Sequence, residues 1–248
     1  MAVTDRPVSG RLFAGTSGFS YPGWSPRFYP SGLAAAGFLA HYAVRLSAVE
    51  LNNTYYASPS PSKVATWVAA TPADFRFAVK AQRGGSFRAL RVDPAGSVPW
   101  LTEPYRAFGD RLGTILFRVP DGVGRDDAKL VAMLALWPAD LLLTMEFQDP
   151  SWHVDETFAA LAAVGAALCA TELPEDSEPP IIRRTGGFLY VRLRRHEYSP
   201  ADLEAWAARL EPFLSAGDDV YAFFRHDDVG RGPAFALGLA AAVDRIRG

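Results

Sequence analysis

The chain has 248 residues, 49% hydrophobic and 21% charged, which excludes a disordered chain and allows one large core. Its formal net charge of −2 excludes a uniformly basic nucleic-acid binder but not a local basic patch. The single cysteine, Cys169, rules out an internal disulfide and predicts a cytoplasmic protein. No apolar run is long enough to span a membrane, and residues 1–11 carry Arg6 and Arg11 with no apolar signal core behind them. Of 25 basic residues, three are lysines (Lys63, Lys80 and Lys129), so a lysine in an unusual place stands out.

Short runs rich in β-branched, leucine or aromatic residues predict strands at 12–15, 48–51, 76–80, 114–118, 142–146, 167–171, 189–193 and 220–224. Segments of 3.6-residue periodicity predict helices at 33–46, 61–70, 101–110, 126–137, 154–164, 200–214 and 233–246. Ser60-Pro61 and Ser199-Pro200 each place a cap residue before a first-turn proline, and Gly165 and Gly217 sit just past helix ends. Residues 171–187 hold Pro179-Pro180 and read as a long loop. No repeat or linker divides the chain, so residues 1–248 are expected to form one domain, with 1–11 loosely ordered at its start. Eight strands alternating with helices over this length predict an α/β fold, a single (β/α)8 TIM barrel. An open doubly wound sheet is the competing architecture, weakened because no G-x-G-x-x-G follows a strand.

Alternation along the strands separates an apolar, helix-facing set from an inward set. The inward set holds Glu50 and Asn52; Arg76, Ala78 and Lys80; Tyr190, Arg192 and Arg194; and Tyr221, Phe223 and Arg225, with Glu146 at the end of strand five. Buried charges must pair or face a solvated mouth, and most of these lie near strand carboxyl ends, where barrel active sites sit. Glu50 and Glu146 are candidates for acid–base or nucleophilic work. Lys80 is a candidate to hold an anion or, less readily, to form an imine. Arg192, with Arg118, Arg194 and Arg225 nearby, would make the mouth positive and suit phosphate or carboxylate groups. A structural ion-pair network plugging the barrel would use the same residues.

After strand eight, Asp227, Gly230 and Gly232 lead into a helix, a pattern shared with barrel phosphate sites and with ordinary turns. Loop aromatics, among them Phe19, Tyr21, Trp24, Tyr55, Tyr56 and Trp152, are candidates to stack on sugar rings or bases, or to pack on the barrel. The four histidines show no metal-site spacing, so no cofactor and no metal site is predicted, while a divalent metal is left open.

The run 15–21 (GTSGFSY), with Trp24 and Phe28-Tyr29-Pro30, resembles the start of the YecE-like family, domain of unknown function 72. Residues 49–56 (VELNNTYY), 75–80 (FRFAVK), Glu146-Phe147 with Pro150-Ser151-Trp152, and 190–193 (YVRL) with Tyr198-Ser199 extend the resemblance over nearly the whole chain. The resemblance implies a TIM barrel and no established reaction. Its matching positions here are Glu50, Asn52, Tyr55, Lys80, Glu146, Trp152 and Arg192. Three departures stand out. Gln148-Asp149 replaces the usual Arg-His, Arg225-His226-Asp227 replaces Asn-Asn-Asp, and Arg118 replaces a glutamine at the end of strand four.

These readings converge on an enzyme acting on a small anionic or sugar-like substrate, phosphorylated ones included. Glu50, Glu146 and Lys80 are the expected catalytic groups. Asn52, Tyr55, Trp152, Arg192, Arg225, Asp227, Gly230 and Gly232 are the expected substrate contacts. The alternatives are a nucleic-acid-binding or phosphodiester-acting protein, and a binding protein whose charges are structural. The oligomeric state is not legible, and no membrane partner is expected.

Overall fold

The computed structural model describes residues 9–248. Eight strands, β1 (Leu12–Ser17), β2 (Ala48–Leu51), β3 (Arg76–Lys80), β4 (Leu112–Val119), β5 (Leu143–Phe147), β6 (Ala167–Glu172), β7 (Phe188–Leu193) and β8 (Asp219–Phe224), form a closed parallel barrel. The β1–β8 pairing from Leu12↔Val220 to Thr16↔Phe224 completes the ring, which decides for the TIM barrel over an open sheet.

Eight helices surround it: α1 (Phe38–Ala43), α2 (Pro61–Ala69), α3 (Arg83–Arg91), α4 (Pro94–Thr102), α5 (Asp127–Leu134), α6 (Asp155–Ala163), α7 (Pro200–Ser215) and α8 (Arg231–Arg247). Local chemistry explains their starts. The Ser60 hydroxyl accepts the Lys63 N–H, and Ser199 and Asp202 form a reciprocal capping box. The expected helix at 33–46 shortens to a 3-10 turn followed by α1.

The helices are not distributed one per strand. Two, α3 and α4, lie between β3 and β4, and the path from β6 to β7 has none, consistent with the proline-bearing loop. The expected helix at 101–110 is instead the end of α4 and a 3-10 run, Glu103–Arg111, broken at Gly109 with φ 53°. Both unpredicted helices begin on side-chain caps: Gln82 accepts from Gly85 N–H and Asp93 from Gly96 N–H. Asp93-Pro94 is the same signal as Ser60-Pro61, while Gly84-Gly85 disguised α3 as a loop.

The inward phase of the strands is as predicted. Phe13, Ala48, Ala78, Leu116, Cys169, Tyr190, Tyr221 and Phe223 pack in the barrel, while Val49, Leu51, Phe77 and Val79 join the outer core beneath the helices. At the start of the chain, Gly10 N–H donates to Leu214 O at 2.8 Å and Arg11 N–H to Asp219 at 2.8 Å, so residues 10 and 11 are tied down. Residues 1–8 of the expected loose terminus lie outside the described residues. Among the described residues no helix is long and apolar enough to cross a membrane.

Candidate active site

Strand alternation and barrel closure bring three inward side chains from separate strand ends into one buried cluster. Arg192 of β7 donates through Nη2 to Glu50 Oε1 of β2 at 2.8 Å and through Nη1 to Glu146 Oε1 of β5 at 2.7 Å. Each of these three residues is 4% exposed or less. Glu50 is saturated further: Ser17 Oγ donates to its Oε1 at 2.8 Å and the Tyr190 hydroxyl to its Oε2 at 2.7 Å. Thr171 Oγ1 donates to Glu146 Oε1 at 3.1 Å. The second oxygen of Glu146 is buried without a hydrogen bond, 3.5 Å from Arg118 Nε.

The electrostatics follow from this geometry. Burial opposes ionisation of Glu50, but the Arg192 charge and the Tyr190 hydrogen bond, helped by Arg194 and Lys80, outweigh it and hold its pKa at about 2. Burial likewise opposes ionisation of Glu146, and Arg192 again prevails, holding its pKa below the ordinary glutamate value. Two ionised carboxylates locked on one guanidinium make poor proton carriers at neutral pH. In this arrangement both carboxylates serve as counter-charges to Arg192.

Lys80 is the group in this cluster that titrates near neutrality. Burial lowers its pKa and so does Arg192, partly offset by Glu50 and Glu146, giving about 8. Its Nζ lies 4.5 Å from the centre of the Tyr55 ring, a cation–π contact. Among the described residues neither Lys80 nor Arg194 forms a side-chain ion pair or hydrogen bond, and Arg194 Nη1 is buried without a partner.

Two of the positions noted as departures from the resemblance, Arg118 and Gln148, are in contact. Arg118, at the end of β4, donates a hydrogen bond to Gln148, just past β5. The Arg118 guanidinium thus lies between Gln148 and Glu146 and adds a positive charge at the mouth.

The other expected contacts are placed as follows. Asn52 sits one residue past β2, half-buried, and Arg225 is exposed just past β8. Trp152 is fully buried; it stacks on Phe147 at 4.7 Å and donates to Val123 O at 2.7 Å, so it supports a loop. The expected phosphate cradle at α8 is filled by the chain itself. Asp227 Oδ1 accepts the N–H groups of Val229 and Arg231, and Oδ2 accepts that of Gly232 at 2.7 Å. A phosphate there would meet a carboxylate already holding its donors. Gly230 takes φ 81°, and a Cβ on Gly232 would lie 2.8 Å from Arg225 O, so both glycines serve the turn.

Sequence reasoning missed Ser17, Tyr190 and Thr171 as partners of the carboxylates. Their signal was available, as inward-phase polar groups on strands. Among the described residues no group of three or more His, Cys, Asp or Glu is placed to hold a metal ion.

The comparisons agree with the fold. The UPF0759 protein YunF of Bacillus subtilis (strain 168) is 22% identical over 247 residues, covering 84% of this chain and 88% of the relative. The DUF72 family protein TM1631 of Thermotoga maritima MSB8 is 25% identical in its crystal structure, with a TM-score of 0.79 over 94% of this chain and 99% of that one. A second crystal structure, the DUF72 family protein EF0366 of Enterococcus faecalis V583, shares the fold at 18% identity, with a TM-score of 0.77 over 94% and 95% of the two chains. The family model described as "Protein of unknown function DUF72" matches residues 13–247, and the chain belongs to that family.

Proposed function

We propose that this protein is an enzyme acting on a small phosphorylated substrate, with the phosphate held at the barrel mouth and Lys80 carrying the proton. The observation that carries this reading is a charge surplus. Lys80, Arg118, Arg192 and Arg194 face two carboxylates, Glu50 and Glu146, leaving two positive charges uncompensated. A phosphate monoester dianion matches that surplus, and the unpaired Lys80 and Arg194 are the groups free to receive it. The Glu50–Arg192–Glu146 cluster then fixes the field and the geometry, while Lys80, titrating close to neutrality, exchanges a proton with the bound substrate.

The test is calorimetric titration of inorganic phosphate into the wild type, Arg194→Gln and Lys80→Met. A dianion favours the charged amine, so bound Lys80 must have a higher pKa than free Lys80. Where phosphate is the dianion, affinity should therefore be greatest below pH about 8 and fall as pH rises through it. Each variant should bind at least about tenfold more weakly, the loss expected for one charge-assisted contact. No binding by the wild type, or unchanged binding by both variants, would overturn the reading. A steep fall of affinity for single-stranded oligonucleotide with salt, without phosphate binding, would favour the nucleic-acid alternative.

A further inference from the structure

A pocket of about 310 Å³ opens between α3 and the end of β4, directly beside the mouth. It shares two walls with the charged cluster. One is Tyr55, whose ring carries Lys80 Nζ, and the other is Arg118, whose Nε faces Glu146. Its floor is apolar, with buried Leu90 and Phe117. Phe87 lines its lip and is 57% exposed, an aromatic ring that packing leaves largely uncovered. Arg83 and Arg91 complete the rim, and among the described residues no carboxylate lines the pocket.

The far wall is held in place. The loop after β4 is pinned at Val123 O by the Trp152 indole, at Arg125 N–H by Ser151 Oγ at 2.9 Å, and at Gly124 O by Arg91. A pocket whose wall is bonded from behind is preformed, which lowers the ordering cost of binding. It also accounts for Trp152, which touches no candidate ligand position yet positions this wall.

We infer that the pocket between α3 and β4 takes the aromatic body of the substrate whose phosphate sits at Lys80 and Arg194, so that the substrate is an aryl-type organic phosphate. The inference rests on the phosphate reading above and adds to it the chemistry of the attached group. Tyr55 and Phe87 and the guanidinium groups of Arg83, Arg91 and Arg118 line the pocket, a composition that favours a flat ring over an alkyl chain. The volume lies at the small end of ligand sites and suits one or two fused rings.

The experiment compares 1-naphthyl phosphate with inorganic phosphate, by calorimetry, on the wild type and Phe87→Ala. Phe87 is exposed, so its truncation should not unfold the protein. The aryl compound should bind the wild type about tenfold or more tightly than inorganic phosphate, and Phe87→Ala should remove most of that advantage while leaving inorganic phosphate unchanged. Val123→Trp, which narrows the pocket from its far wall, should have the same selective effect. Equal affinity for the two compounds, or an aryl advantage that survives both variants, overturns the inference and leaves the phosphate site standing. Failure of both compounds to bind overturns the phosphate site and the inference together.

Discussion

The carboxylate of Asp227 accepts the backbone N–H of Gly232 at 2.7 Å, closing the first turn of α8 from within the chain. With the Val229 and Arg231 N–H groups on its other oxygen, Asp227 satisfies three donors at once. Asp227→Ala should therefore cost about 1–2 kcal/mol in denaturant unfolding, the range for a lost helix cap. Asp227→Asn, which keeps one acceptor oxygen, should recover part of it. Equal stability of wild type and Asp227→Ala would remove the capping role.

Glu50 is the most heavily bonded charge in the barrel, and removing it strands Arg192 in a buried site. Glu50→Ala should lower stability by about 3–5 kcal/mol. The pH dependence has a definite sign. The folded pKa of Glu50, about 2, lies below its ordinary 4.5, so the stabilisation is complete above pH 4.5 and is lost as pH falls through about 2. Unfolding midpoints measured across that window should drop more steeply for the wild type than for Glu50→Gln. Parallel curves would mean that Glu50 is not held ionised by its neighbours.

Lys80 should show the opposite balance. Its folded pKa, about 8, lies below the ordinary 10.5, so between those values the unfolded chain binds more protons and stability rises with pH. Below pH 8 the charged amine destabilises the fold. Lys80→Met should accordingly raise stability at neutral pH by roughly 1–3 kcal/mol, or roughly 2–12 °C in Tm, and abolish the rise above pH 8. The same variant should bind phosphate at least about tenfold more weakly. A less stable Lys80→Met protein would show that the amine is a structural partner and not a group kept for function.

Much of this was written in local sequence. The strand at 48–51 ends in alternating Val49, Glu50 and Leu51, which dictates that the carboxylate faces away from the helices. Ser60 and Ser199 before prolines dictate helix starts, because capping is a contact between near neighbours. The eight strands and the inward phase of Glu50, Lys80, Glu146 and Arg192 were legible for the same reason: period-two alternation needs no distant partner.

The tertiary structure decided everything that depended on separation in space. That Arg192 reaches both Glu50, 142 positions away, and Glu146, 46 positions away, while Lys80 and Arg194 stay unpaired, follows from barrel closure and strand register. Those distances pair both carboxylates with Arg192 and leave the Lys80 amine as the group titrating closest to neutrality. Closure likewise showed that Arg118 meets Gln148, that Trp152 supports a wall, and that Asp227 occupies the helix terminus where a phosphate was expected. Sequence specifies which groups are polar and which way they point. Only packing fixes which of them meet, and electrostatic roles depend on those meetings because charge interactions in a buried site fall off over a few ångströms of separation and solvent access.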